Sequence, residues 1–214
     1  MMMNIADIRK DYMLRSLSEN DIEKHPLRQF DKWWQEAIDS RIDEVNAMTL
    51  ATANNQGVPS ARIVLLKGYD ESGFVFFTNY NSHKASDVKD NPNACLVFFW
   101  KELERQVRIT GDIEKISDKE SDEYFHSRPI TSRIGAWASD QSSVIDSRER
   151  LEEKFKTLEA AYSNKEIPRP PHWGGYRVIP RQIEFWQGRP GRLHDRIEYN
   201  LVEWNRWSIK RLAP

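Results

Sequence analysis

The chain has 214 residues and no linker-like stretch divides it, so a single domain over 26–214 is expected behind a flexible arm at 1–25. A formal net charge of −1 argues against a general nucleic-acid binder, so any anion site must come from local concentration of cations. One cysteine, Cys95, excludes an internal disulfide; with no apolar run of spanning length and no signal-peptide pattern, a soluble cytoplasmic protein without membrane contact is expected.

The arm carries a weak helical pattern around Ile5, Ile8 and Tyr12. In HPLRQFDKWWQEAIDSRI, Phe30, Trp33, Trp34, Ala37 and Ile38 recur at helical spacing and predict an amphipathic helix. Strands follow: AMTLATA (47–53), a turn at 54–57, then VPSARIVLLKGY (58–69) as one strand. Asp70-Glu71-Ser72-Gly73 turns into FVFFTNY, and Ser82 begins a short helix through Lys89. Cys95 sits in the strand ACLVFFW and reads as a small buried hydrophobe. In ERQVRITGDIEKI, Val107, Ile109 and Ile113 share one face.

Ser117 and Glu120 make a capping-box pair for a helix through His126. Pro129 disfavours the α region at Arg128, so a second short helix begins there. Asp146 and Glu149 are expected to cap a helix with Leu151, Phe155, Leu158 and Tyr162 on its apolar side. WGGYRVIPRQIEFWQG is a strand, Gly188–Gly191 a turn, and Arg192, His194 and Arg196 alternate onto one face of the next strand. LVEWNRWSIKRLAP closes the chain as a last strand. About seven strands, mostly hairpin-linked, argue for a mainly β protein: an antiparallel barrel with peripheral helices.

No GxGxxG, GxxxxGK[ST], CxxC or GxSxG occurs, and five scattered histidines argue against a metal site. If the chain is an enzyme, an organic cofactor supplies the hard chemistry. The positive signals are cationic. Arg62 and Lys67 bracket an apolar strand but point to opposite faces unless a bulge intervenes. Thr78, Ser82, His83 and Lys84 gather at a helix start, which suits an anion; Ser82 also reads as an ordinary N-cap. Tyr124, Arg128 and Ser132 are either a solvated face or, on two helices meeting at Arg128, one anion site. The aromatic and basic residues of QIEFWQGRPGRLHDR suit a flat anionic ligand, or an exposed hairpin tip.

Taken together, RIVLLKG, FFTNYNSHKA, ERQVRITG, YFHSRPITSRIGAWAS, QSS, WGGYRV, QIEFWQGRPGRLHDR and the terminal RLAP resemble the pyridoxine/pyridoxamine 5′-phosphate oxidases, from about residue 27 onward. The resemblance implies an FMN-binding split β-barrel that works as a homodimer. It implies FMN contacts from Arg62, Ile63, Val64, Leu65, Leu66 and Lys67, and from Phe77, Thr78, Ser82, His83 and Lys84. Gln106 and, from the other subunit, Gln141, Ser142, Trp186 and Arg196 complete the flavin set. Lys67, Tyr124, Arg128 and Ser132 would hold the substrate phosphate; Arg192 and His194 would flank the reacting ring as the catalytic pair. Arg9 and Tyr12 match an RxxY element that closes over the substrate. The implied reaction oxidises pyridoxamine or pyridoxine 5′-phosphate to pyridoxal 5′-phosphate with O2, giving H2O2. One position departs from the pattern: His83 stands where the family usually has arginine, offering no fixed charge near neutrality. A split-barrel flavoprotein of other specificity would lack the Tyr124/Arg128/Ser132 and Arg192/His194 sets, and a β-barrel nucleic-acid binder would be colourless.

Overall fold

The aromatic stripe becomes the buried face of α1 (Pro26–Asp39), where Phe30, Trp33 and Ala37 are sequestered and Ile38 is left exposed. Pro26 suits the first turn, because its missing N–H would have no helical partner there, and His25 caps Leu27 N. The structure is a computed structural model that describes Ile5 and residues 11–214; Ile8 and Arg9 lie outside the described residues.

The elements after α1 are β1 (Ala47–Ala53), β2 (Pro59–Leu65), β3 (Gly68–Asp70), β4 (Gly73–Asn79), α2 (His83–Asp90), β5 (Asn93–Trp100) and β6 (Arg105–Lys115). Then come α3 (Asp118–Ser127), α4 (Ile130–Ala138), α5 (Arg148–Ala161), β7 (Trp173–Gln187), β8 (Asp195–Glu203) and β9 (Arg206–Leu212). The nine strands run in the order β2-β1-β5-β6-β7-β4-β3, with β8 added to β7 and β9 to β8. This is the mainly β, split-barrel architecture with peripheral helices. The chain divides into two compact units.

The first unit comprises Met1–Leu50, Cys95–Gly111 and Pro180–Pro214. Its core is aromatic. Phe30 lies 5.4 Å from Phe98, Trp33 meets Phe185 edge-on at 5.2 Å, and Phe185 meets Tyr199 at 5.6 Å. Arg105 is buried over the Trp33 ring at 4.2 Å, with Gln187 and Glu36 taking its hydrogen bonds at 2.9 and 2.8 Å. Cys95 is half-buried, and burial pushes its thiol up, away from the reactive thiolate.

The second unit comprises Ala51–Ala94 and Asp112–Ile179. Here β4 pairs with β3 and, from Phe74↔Val178 to Asn79↔Trp173, with the first half of β7. Phe125, Ile134, Ile167 and Trp173 form a buried cluster against which α5 lays Phe155, Leu158 and Tyr162. The capping box at Ser117 forms, with both of its hydrogen bonds to Glu120 present.

Three local expectations are corrected. The stretch 58–69 is not one strand: β2 stops at Leu65, and Lys67 N instead donates to Val75 O at 2.9 Å before β3 begins. The terminal segment is a hairpin, β8 and β9, turned at Asn205 with φ 56°, a left-handed conformation asparagine tolerates. Ser147, not Asp146 or Glu149, caps α5; its hydroxyl accepts from Arg150 N, and Asp146 pairs with Arg150 instead. The alternation in β6 holds, with Val107, Ile109 and Ile113 all buried.

Truncating Phe30 empties space between α1 and the β5 aromatics. Phe30→Ala is expected to lower the unfolding free energy by about 3–5 kcal/mol in urea titration, with an unchanged m-value.

Candidate active site

Two interruptions in regular structure gather the cations of the second unit. The break after Leu65 resets strand parity, so Arg62 and Lys67 line one cavity rather than opposite faces. At the other break Arg128 is extended (φ −75°, ψ 150°) between α3 and α4, as Pro129 demands. Tyr124, Arg128 and Ser132 therefore converge on that same cavity. Its volume is about 910 Å³, within the range of cofactor and substrate sites. Among the described residues its wall holds Arg62, Lys67, Lys84 and Arg128 and no carboxylate.

Each cation is held differently. Arg62 donates to Thr52 Oγ1 at 2.8 Å and to Ser60 Oγ, and both hydroxyls donate to Asp87 Oδ2 at 2.7 Å. The Asp87 carboxylate itself is 3.9 Å from Arg62, outside the cavity wall. Burial works to raise the Asp87 carboxyl, but the Thr52 and Ser60 hydroxyls, with His83 and Arg62, hold it below the usual range. Lys84 is 8% exposed, and among the described residues its ammonium reaches only neutral oxygens: Thr78 Oγ1 at 3.1 Å, Ser82 Oγ at 3.2 Å and Gln141 Oε1 at 3.3 Å. Burial, and then the charge of Arg62, lowers the Lys84 pKa. Arg128 stacks over Trp173 at 4.6 Å, and its Nη1 is buried with no hydrogen-bond partner. Among the described residues no carboxylate comes within ion-pair distance of Lys84 or Arg128, an environment that suits an anion.

Phe77, Tyr124 and Trp173 make a near-parallel aromatic wall, with Phe77 and Tyr124 centroids 3.9 Å apart. Ile63, Val64, Leu65, Thr78 and His83 also line the cavity; Leu66 and Ser82 are buried outside its wall. The Ser82 hydroxyl does not cap α2. It donates to Asn79 O at 2.7 Å, while His83 N donates to Ser142 Oγ at 3.2 Å. His83 keeps a 70% exposed side chain, 3.8 Å from Asp87. Gln141 and Ser142 lie in this cavity on the same chain, where the resemblance implied the other subunit. Trp173, Asn79 and Ser139 line it without having been singled out from the sequence. Trp173 carried one readable signal, an aromatic residue opening a strand with two glycines behind it.

The remaining expected residues belong to the first unit. Gln106 is half-buried on β6. Tyr12, Trp186 and His194 form a ring cluster, with Trp186 and His194 at 4.6 Å and Tyr12 edge-on to Trp186 at 5.7 Å. Glu104 fixes the segment that carries Tyr12, accepting from Met13 N and Leu14 N at 2.9 and 3.1 Å. The Nδ1 atom of His194 accepts from Arg189 N at 3.1 Å, which assigns the ring proton to Nε2. Burial and then Arg192 lower the His194 pKa, so the ring is a neutral Nε2–H donor at pH 7. Arg192 is exposed in a turn with φ 62°, a left-handed conformation that is costly for arginine, and β8 begins only at Asp195, so Arg192 and His194 precede the strand rather than alternating with Arg196 along it. Arg196 is paired with Glu184 at 2.7 Å.

A family model described as pyridoxamine 5′-phosphate oxidase matches residues 34–162, and one described as the pyridoxine 5′-phosphate oxidase C-terminal dimerisation region matches residues 173–214. The chain belongs to the pyridoxine/pyridoxamine 5′-phosphate oxidase family. A relative of that name from Trichormus variabilis is 58% identical over 210 residues, covering 98% of each chain. Another from Paraburkholderia phymatum is 57% identical over 213 residues, covering 100% of each. Among solved structures, PhzG from Burkholderia lata 383, in complex with tetrahydrophenazine-1-carboxylic acid, superposes with a TM-score of 0.87 at 29% identity. That match covers 94% of this chain and 99% of PhzG. A pyridoxamine 5′-phosphate oxidase-related, FMN-binding protein from Nostoc punctiforme shares the fold, with a TM-score of 0.70 at 19% identity over 88% of this chain and 97% of its own. Membership of this family makes the chain an oxidoreductase of that type. Among the described residues no helix is long and apolar enough to cross a membrane.

A Cβ at Gly188 would stand 2.6 Å from the Tyr12 ring, a distance no real contact tolerates. Gly188→Ala is therefore expected to expel Tyr12 from the ring cluster. Hydrogen exchange at the Met13 and Leu14 amides should accelerate, and wild-type protection there would refute the packing role.

Proposed function

We propose that the chain is an FMN-dependent oxidase that converts pyridoxamine 5′-phosphate and pyridoxine 5′-phosphate to pyridoxal 5′-phosphate, with O2 as acceptor and H2O2 as by-product. The observation that carries this reading is the Lys84 ammonium, which among the described residues is buried against neutral oxygens alone, in a cavity with no carboxylate in its wall. That environment fits a phosphate ester, and Arg62, held from behind by Thr52 and Ser60, supplies a second charge to it. The buried, unpartnered Nη1 of Arg128, with Lys67, Tyr124 and Ser132, fits a second phosphate in the same cavity. A flavin ester and a vitamin ester each bring one.

When bound, FMN supplies the two-electron oxidation of the substrate and the return of those electrons to O2. The chain's own residues bind, orient and screen. Arg62, Lys84 and Thr78 would hold the cofactor phosphate, with Gln141 and Ser142 beside them and Ser82 behind, accepting from the Lys84 ammonium. Lys67, Arg128, Tyr124 and Ser132 anchor the substrate by its phosphate, and so fix which carbon is presented for oxidation. Arg192 orients the substrate and remains protonated throughout, since guanidinium does not act as a base. His194, neutral with its proton on Nε2, donates a hydrogen bond. Tyr12, carried on the segment held by Glu104, covers the ring and excludes water. Arg196 would set a fixed positive charge beside the bound cofactor. The dimerisation region over 173–214 supports a homodimer, with Gln106, Trp186 and Arg196 completing each flavin site. The proposed compartment is the cytoplasm.

Purified protein should be yellow and should consume O2 on addition of pyridoxamine 5′-phosphate; colourless protein that takes up no FMN would end this reading. Arg128→Ala is expected to raise KM for the phosphorylated substrate by about 10–100-fold, reflecting a lost charge-assisted bond of roughly 1.5–3 kcal/mol. Arg192→Ala should depress kcat/KM with little change in FMN content. The lowered Lys84 pKa gives the pH dependence its sign. The free ammonium loses its proton at lower pH than an ordinary lysine, so FMN affinity should fall as pH rises into the alkaline range. His83→Arg should tighten FMN binding when FMN is titrated into apoprotein.

A further inference from the structure

Glu184 on β7 is 2% exposed, yet both of its carboxylate oxygens are committed to arginines. Oε2 accepts from Arg108 Nη2 at 2.5 Å and Oε1 from Arg196 Nε at 2.7 Å. The register explains the reach: Trp186 is directly opposite Arg196 across β7 and β8, so Glu184 is the diagonal neighbour of Arg196 on the same face. Arg196 has a second stop, because its Nη1 donates to the Ala213 carbonyl at 2.8 Å. The hydrogen bond to Glu184, the largest influence, raises the Arg196 pKa, so the guanidinium stays charged. Nε and Nη1 are thus occupied, and among the described residues Nη2 is left without a protein partner.

A carboxylate this deeply buried is costly to the fold unless its partners satisfy it. A cross-strand ion pair for stability alone would need one cation. Here one anion takes two, and one of them is the residue assigned to the flavin. We propose that Glu184 is a positioning residue for Arg196. With the Ala213 carbonyl it locks the guanidinium in one orientation with Nη2 presented, while Arg108 takes the second carboxylate oxygen and holds the Glu184 side chain in place. The inference rests on the proposed reading in which Arg196 contacts FMN. A free arginine would lose its rotamer freedom on binding the cofactor; one already locked does not, which corresponds to roughly tenfold in Kd.

The test is a double-mutant cycle on FMN binding, read by quenching of flavin fluorescence as apoprotein is titrated in. Arg196→Ala is expected to weaken FMN about 10–100-fold and Glu184→Gln about tenfold, with the double variant no weaker than Arg196→Ala alone. Unchanged affinity in Arg196→Ala would remove Arg196 from the flavin site, and the inference with it. A loss in Arg196→Ala with no loss in Glu184→Gln, or losses that simply add, would overturn the positioning role while leaving Arg196 in place. Glu184→Asp guards against a folding defect: it keeps the charge for both arginines but withdraws it by one methylene. Weakened FMN binding at wild-type Tm supports the proposal; wild-type affinity sinks it.

Discussion

The governing constraint is electrostatic. A chain of net charge −1 places Arg62, Lys67, Lys84 and Arg128 around one cavity and, among the described residues, keeps every carboxylate out of its wall. Asp87 is the acid nearest to breaking that rule, and the structure sets it behind two hydroxyls. Thr52 and Ser60 accept from Arg62 on one side and donate to Asp87 on the other. The guanidinium is thereby oriented without being neutralised. Had Asp87 formed a close bidentate pair with Arg62, the donors an anion needs would be spent.

Irregularity in the backbone serves the same end. A continuous strand through Leu66 would have sent Lys67 away from Arg62, and a continuous helix through Arg128 would have spread Tyr124, Arg128 and Ser132 along one face with no common focus. The strand break and the proline each cost hydrogen bonds, and each converts sequence neighbours into spatial ones. Regular elements supply rigidity, while the gaps between them supply aim. The aromatic wall of Phe77, Tyr124 and Trp173 then gives these cations a stiff backing, and Arg128 lies flat against it.

What could be read from the sequence were features with a local cause. The stripe of α1, the capping box of α3 and the alternation of β6 follow from spacing within a few residues, and each is present. The stop at Leu65 could not be read, because apolar Leu65 and Leu66 continue the strand pattern and only the pairing of Lys67 N with Val75 ends it. The β8–β9 turn was hidden because Glu203-Trp204-Asn205-Arg206 lacks glycine and proline, and Asn205 alone takes the positive φ. Asp146 and Glu149 carry the stronger acidic signal in the sequence, but the Ser147 hydroxyl, one residue before the helix, stands where a cap must be. Gln141 and Ser142 sit in a polar loop without periodicity, so only the tertiary structure reveals that they meet Lys84 and His83. The residues of the cationic clusters were visible one cluster at a time; that they share a single cavity is a property of the fold.

Crowded positive charge also links folding to supply. Burial disfavours the charged forms of Arg62, Lys84 and Arg128 alike, and Lys84 is further opposed by Arg62. The empty polypeptide therefore carries internal repulsion that a bound anion relieves. By mass action an occupant at a hundred times its Kd adds about 2.7 kcal/mol to the native state, a large share of what a typical domain possesses. Under the proposed function, in which that occupant is a flavin ester, the lifetime of such a protein inside a cell would track the supply of the ester, with starved molecules the first to be cleared by proteolysis.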